Sequence, residues 1–261
     1  MWFFGTKRPH ISTDDEEWQL GTWAWFDELW GPITAADHSG LILPSRKLFP
    51  PTEAKGQARA QFYFDITRSL MGMSNWPCEL KPHKPQLDLG SSIVLGSMSR
   101  KGALGTYRRS GNAAIITYDP SKADDVVGLV ATFAHELCHY LMSTAPSDPP
   151  GGPDNEEFAT DLATAHAGFG LFGANSAFKF KQFTDFDKQG WSSERAGYLT
   201  EHEWCFALAI FAELRAIPED TYRDYLKDHL VKSVRRSRRY LSANPDLLGS
   251  LSQPASDELR T

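Results

Sequence analysis

His135, Glu136, Leu137, Cys138 and His139 form an H-E-x-x-H pentapeptide inside an apolar stretch of the chain. Residues four apart on an α-helix lie only about 40° apart around its axis, so the two imidazoles project from one face and can hold a single metal ion. Glu136 sits beside them. A carboxylate next to a zinc-bound water can take its proton and leave a hydroxide nucleophile at neutral pH. Val126, Val127, Val130, Phe133, Ala134, Leu137 and Leu141 recur at three-to-four spacing up to Met142, and Asp119 with Pro120 has the residue types of an N-cap and a first helical position. This pattern predicts a long buried helix with the pentapeptide late in it. Two imidazoles there need a strong partner, because unpaired buried polar groups are costly.

Structural zinc usually takes four protein ligands, whereas hydrolytic zinc takes three and keeps a position for water or substrate. Eighteen residues after His139 comes Glu157, in the run Asn155-Glu156-Glu157-Phe158-Ala159-Thr160-Asp161-Leu162. Pro153 and Asp154 suit a helix start, which puts Glu157 and Asp161 on one face a turn apart. Glu157 can then ligate the metal, and Asp161 can accept a hydrogen bond from the outer ring nitrogen of His135, fixing its tautomer. Glu156 is a rival ligand, but the residue four positions on from it is Thr160 and not an acid. His166 is another, although nine residues from Glu157 place it off that face. An acidic first turn on an ordinary amphipathic helix is the plain alternative. Ala159, Ala163, Ala165, Ala167, Gly168 and Gly170 give this second helix the small residues that let another helix approach closely.

With its downstream Glu157-Phe158-Ala159-Thr160-Asp161, the pentapeptide resembles the gluzincin clan of zinc peptidases, whose pattern is H-E-x-x-H and then a helix carrying E-x-x-[ST]-D. The likeness spans roughly residues 113–173, with a different spacing and a single Asn-Glu pair, and is nearest to compact gluzincin-like proteins of bacteria. It implies His135, His139 and Glu157 as zinc ligands and Glu136 as general base. It also implies an edge strand above the active-site helix that binds substrate in extended form, a part to which Ala113–Tyr118 is matched. In some gluzincins a donor to the developing oxyanion stands downstream, where this chain has Tyr198 and His202; a surface tyrosine and a capping-turn histidine are the alternatives. Metzincins are disfavoured, because their third histidine would fall at Ala145.

Other elements must position these residues. Thr200-Glu201-His202-Glu203 is a capping box opening a helix through Trp204, Leu208, Phe211 and Leu214. Ile93, Val94 and Leu95, and then Ala113–Tyr118, are the strand candidates, joined by a glycine-rich loop with Arg100, Lys101, Arg108 and Arg109 but no phosphate-loop pattern. The first twenty residues read as a weakly ordered arm, and Trp18, Trp23, Trp25, Phe26, Leu29 and Trp30 as a helix packed on the core. Residues 41–51 are loop-like, 53–71 helical, and 76–85 rich in proline. Four Pro and two Gly make 143–153 a stiffened turn between the metal helices. Phe178, Phe180, Phe183, Phe186 and Trp191 could wall a cleft.

The expected whole is an α+β, mostly helical, zincin-like fold: a small sheet with an edge strand over the H-E-x-x-H helix, and a second, Glu-bearing helix. It is expected as one domain over residues 1–261, with a helical part at 1–85, a metal-binding core at 90–216 and a helical layer at 217–261. A hydrophobic content of 41% is ample for a core, and a net charge of -6 argues against nucleic acid as a partner. Lys227, Lys232, Arg235, Arg236, Arg238 and Arg239 make one basic stretch, either a solvated helix face or a patch for an acidic partner. Cys78, Cys138 and Cys205 are odd in number and far apart, which suits a reducing compartment, and Cys138 is expected to be a small core residue. No run approaches a membrane span, and Met1-Trp2-Phe3-Phe4 is too short for a signal peptide, so a cytoplasmic location is expected. The expected activity is that of a zinc-dependent metallopeptidase with Zn2+ as cofactor and a peptide or protein as substrate. The alternative is a metal-stabilised regulatory or interaction protein whose tryptophan-rich N-terminal half covers the cleft.

Overall fold

The computed structural model describes residues 8–31, 40–83, 105–110, 113–185, 198–249 and 251. Its first helix, α1, is Thr13–Trp30. The acidic run expected to be a loose arm is instead its first turn: Ser12 caps it by accepting from the Asp15 amide, and Asp14, Asp15 and Glu16 lie where the helix dipole favours negative charge. Helix α2, Gly56–Leu70, turns Ala60, Tyr63, Phe64, Thr67 and Leu70 inward at helical spacing.

A three-stranded mixed sheet follows, consisting of β1 (Cys78–Pro82), β2 (Gly105–Ser110) and β3 (Ala113–Tyr118) in the order β1-β3-β2. Strand β1 runs parallel to β3, with Cys78 opposite Ala114, and β2 runs antiparallel to it, with Tyr107 opposite Ile116. Ala113–Tyr118 is therefore the middle strand of the described residues and not the edge. Its Ala114, Ile116 and Tyr118 are buried. The strand at the edge beside the pentapeptide helix is β2, in a stretch that sequence assigns to a glycine-rich loop. Ile93, Val94 and Leu95 lie outside the described residues.

The pentapeptide helix, α3, is Val126–Met142, shorter at its start than expected. Asp119 and Pro120 open a separate 3-10 turn, and Asp125 caps α3 by accepting from the Gly128 amide. A second 3-10 turn, Pro153–Asn155, leads into α4, Glu156–Thr164. The chain then widens into a π-helical turn, Ala165–Phe169, and continues as α5, Gly170–Asp185. Gly168 adopts φ 90° in that turn, and its carbonyl accepts from the Ile42 amide at 3.0 Å. Helix α6, Glu201–Leu214, starts with both halves of the Thr200–Glu203 capping box in place, and α7, Asp228–Ala243, packs on it, followed by the short α8, Asp246–Gly249. The core joins Phe133 and Leu137 of α3 to Leu162 of α4, Phe172 of α5 and Leu208 and Phe211 of α6. The result is a mostly helical α+β fold, as the periodicities imply. Among the described residues no helix is long and apolar enough to cross a membrane. The side chains of Phe178, Phe180, Phe183, Phe186 and Trp191 lie outside the description.

Candidate metal centre

Helix α3 is buried on most of its circumference from Leu129 to Cys138, so His135 and Glu136 are each only 5% exposed. The imidazoles of His135 and His139, one turn apart, have ring centroids 4.7 Å apart at 83°. Helix α4 crosses alongside and brings Glu157 to them. Glu157 Oε2 lies 3.4 Å from His135 Nε2 and 3.4 Å from His139 Nε2. Ligand atoms held tetrahedrally at bonds of about 2.0–2.1 Å are about 3.4 Å apart, so the spacing is that of a set that can grip one ion. His135, His139 and Glu157 form the metal-capable cluster of the described residues.

The outer nitrogens fix the polarity of this cluster. His135 Nδ1 is 2.9 Å from Asp161 Oδ1, and an ionised carboxylate only accepts, so the ring donates from Nδ1. His139 Nδ1 is 3.3 Å from Thr160 Oγ1, whose own hydroxyl donates to the Glu156 carbonyl at 2.8 Å. That ring too carries its proton on Nδ1. In their neutral form both imidazoles therefore turn an Nε2 lone pair toward the Glu157 carboxylate, so that three electron-pair donors converge on one point. This is the polarity of a cation site.

Burial and pairing compete at each group. Burial lowers the His135 imidazole, but hydrogen bonds with Asp161 and Glu157 outweigh it and carry the group well above its ordinary value. For His139 burial again acts downward, yet Glu156 and Glu157 raise it to about 9. Glu157 responds in reverse: burial acts upward, and the two histidines hold it far below the usual carboxylate range. Burial pushes Glu136 up, and its Oε2 is enclosed with no hydrogen-bond partner among the described residues. Burial also raises Asp161, against the hydrogen bonds of His135 and the Leu199 amide.

The remaining sequence candidates separate clearly. The Glu156 side chain is 60% exposed and approaches only the outer nitrogen of His139, at 3.7 Å, so it stands outside the converging set. His166 belongs to the π-helical turn and pairs with Asp27 of α1 at 2.8 Å. Cys138 is fully buried, and burial pushes its thiol up to about 12, which leaves an inert core residue. Tyr198 is brought to the cluster, its ring centroid 5.7 Å from that of His135. His202 is not. It is exposed, stacks on His10 with centroids 5.0 Å apart, and bonds to Ser233 of α7 at 3.1 Å. As the second residue of α6, it is turned by the helix toward α7.

Three contributors escape sequence reasoning. Thr160 orients His139; its place between Glu157 and Asp161 is the signal that marks it. Tyr107 of β2 lies parallel to the His139 ring, at 6.4 Å and 11°, and donates to Ser143 at 3.0 Å, a contact that only tertiary structure creates. Leu199 offers its amide to Asp161 Oδ2 at 3.0 Å, a main-chain contact with no side-chain signature. The tryptophans of α1 pack elsewhere: Trp18 meets Phe158 and donates to the Pro150 carbonyl at 2.8 Å, and Trp23 lies against His166.

Comparison of the chain with models of protein families, with curated proteins and with solved structures found no match.

Proposed function

We propose that the chain is a zinc-dependent hydrolase of peptide bonds, of the gluzincin kind. The observation that carries this reading is the convergence of His135 Nε2 and His139 Nε2 on Glu157 Oε2, each at 3.4 Å, beside the buried carboxylate of Glu136. Two nitrogens and one oxygen, with no fourth ligand atom in the cluster among the described residues, match the three-ligand set of hydrolytic zinc and not the closed four-ligand set of structural zinc. Zinc held there supplies a Lewis acid for the scissile carbonyl and lowers the pKa of water.

The residues around it divide the remaining work. Glu136, adjacent in sequence to His135 and raised by burial, is suited to accept a proton from water and pass it to the leaving amine. Asp161 and Thr160 hold the two imidazoles with Nε2 inward. Strand β2, at the sheet's edge among the described residues, offers its other main-chain side to an extended peptide running beside α3. Tyr198 stands on the His135 side as the candidate donor to the oxyanion.

The test is one preparation and one variant. Purified protein should carry close to one zinc per chain and cleave members of a mixed peptide library. Glu136→Gln should keep the zinc and lose turnover by roughly 100- to 10,000-fold, the scale of a general base. Full activity in that variant defeats the proposal. Zinc-loaded protein inert toward every peptide favours instead a metal-stabilised interaction protein, in which chelation lowers the melting temperature without a catalytic consequence.

A further inference from the structure

Asp161 is 5% exposed and uses both carboxylate oxygens: Oδ1 faces His135 Nδ1 at 2.9 Å, and Oδ2 accepts from the Leu199 amide at 3.0 Å. Its two partners lie on opposite sides in sequence and belong to different parts of the fold. One is on α3; the other is on the extended residues just ahead of α6. We propose that Asp161 is a two-armed positioning residue, whose single carboxylate sets His135 and the main chain at 198–200 in register, so that Tyr198 is held beside the metal ligand.

Donor and acceptor chemistry makes this a task for a carboxylate. Both partners are donors, an imidazole N–H and a backbone N–H, and the carboxylate answers each with its own acceptor oxygen. Asparagine offers one oxygen and one amino group, so its amino group would meet a second donor. The neighbouring contacts leave the segment little freedom on the other side. Glu203 accepts from the Thr200 amide at 2.6 Å, and Gln19 of α1 donates to the Glu203 carbonyl at 3.3 Å. Leu199 itself is 3% exposed. Three successive residues are thus fixed: Thr200 by its capping box, Leu199 by Asp161, and Tyr198, next in line, with its ring 5.7 Å from that of His135. Cut the Leu199 arm, and Tyr198 keeps its chemistry while the main chain next to it loses its bond to Asp161.

The role of Tyr198 in turnover rests on the peptidase reading, but the tether does not, and the experiment separates them. Full-length wild-type protein, Leu199→Pro and Asp161→Asn are compared by zinc affinity in chelator competition, by hydrogen exchange over residues 198–204, and by the downfield imidazole N–H resonance of His135. Leu199→Pro removes one amide donor and should keep zinc affinity within about twofold and retain the His135 resonance, while exchange over 200–204 rises about tenfold. Asp161→Asn should weaken zinc by about 10- to 100-fold, lose the resonance and raise exchange over the same residues. Exchange unchanged in both variants overturns the proposal, as does a loss of zinc in Leu199→Pro equal to that in Asp161→Asn. Should Leu199→Pro fail to fold, Asp161→Asn decides alone through the resonance and the exchange together. A wild-type protein that binds no zinc, yet loosens at 198–204 in both variants, keeps the tether and removes the metal reading.

Discussion

Two regions of this molecule concentrate ionisable side chains, and they resolve their charge in opposite ways. On α7, Arg235 reaches Glu219 and Arg238 reaches Glu213, so each cation meets a carboxylate of its own chain near the surface. Between α3 and α4, two imidazole lone pairs and a carboxylate oxygen point at one another inside the fold. Opposite charges that pair off locally neutralise one another at the surface. Once the histidines have given up their protons, acceptors held together in a buried place stay costly until a cation joins them. Polarity and convergence, not the number of charged residues, distinguish a site from a decorated helix.

The comparison predicts its largest effect at Glu157. Glu157→Ala should reduce zinc from near one per chain to background, whereas Glu156→Ala, which touches only the outer side of His139, should keep it; elemental analysis of both proteins decides. Zinc retained in Glu157→Ala would move the third ligand elsewhere and break the contrast with α7.

Acidity gives a second, smaller test. In chelated protein His139 is raised from its ordinary 6.5 to about 9 by Glu156 and Glu157 against the opposing effect of burial. A histidine raised on folding contributes stability that is fully present below its unfolded pKa and lost as pH rises through the folded one. The melting temperature of the chelated protein should therefore fall between about pH 6.5 and 9, while zinc affinity rises over the same interval because ligation needs neutral imidazoles. Zinc-loaded protein should show a flatter curve. A chelated protein whose melting temperature stays level across that window would contradict the pairing of His139 with the carboxylates.

Local periodicity made much of the site legible before any tertiary structure. The i, i+4 spacing of His135 and His139 and that of Glu157 and Asp161 are properties of a single helix each, and the Thr200–Glu203 capping box is complete within four residues. What escaped was set by distant partners or by ambiguous boundaries. Strand β1 ends in Pro82 and follows Pro77, so it reads as a proline-rich loop, yet Pro82 closes the strand where its missing amide costs little. Strand β2 carries Arg108 and Arg109 and has no apolar alternation, because an edge strand has less need of it and charge discourages wrong pairing. That is why β3, the more apolar segment, was matched to the edge when it is the middle. Asp119 and Asp125 both have capping chemistry, and only the longer helix behind Asp125 shows which of them starts α3.

The two regions also differ in what a single polar neighbour is worth. Thr160→Val leaves His139 Nδ1 without the hydroxyl that now lies 3.3 Å away, and chelator competition should show zinc weakened several-fold, less than in Asp161→Asn, since the exposed Glu156 can take over part of the contact. Thr160→Ser should restore it. On α7 the corresponding change is smaller still. Arg235 Nε donates to Glu219 at 3.0 Å, but the arginine side chain is 41% exposed, so water screens the pair and the ordering of two long side chains offsets part of the attraction. A double-mutant cycle of Arg235→Ala and Glu219→Ala, read by chemical denaturation, should show near-additive effects with zinc content unchanged. Strongly non-additive effects would mean that α7 depends on its ion pairs as the α3–α4 cluster is proposed to depend on a cation, and the distinction between the regions would fail.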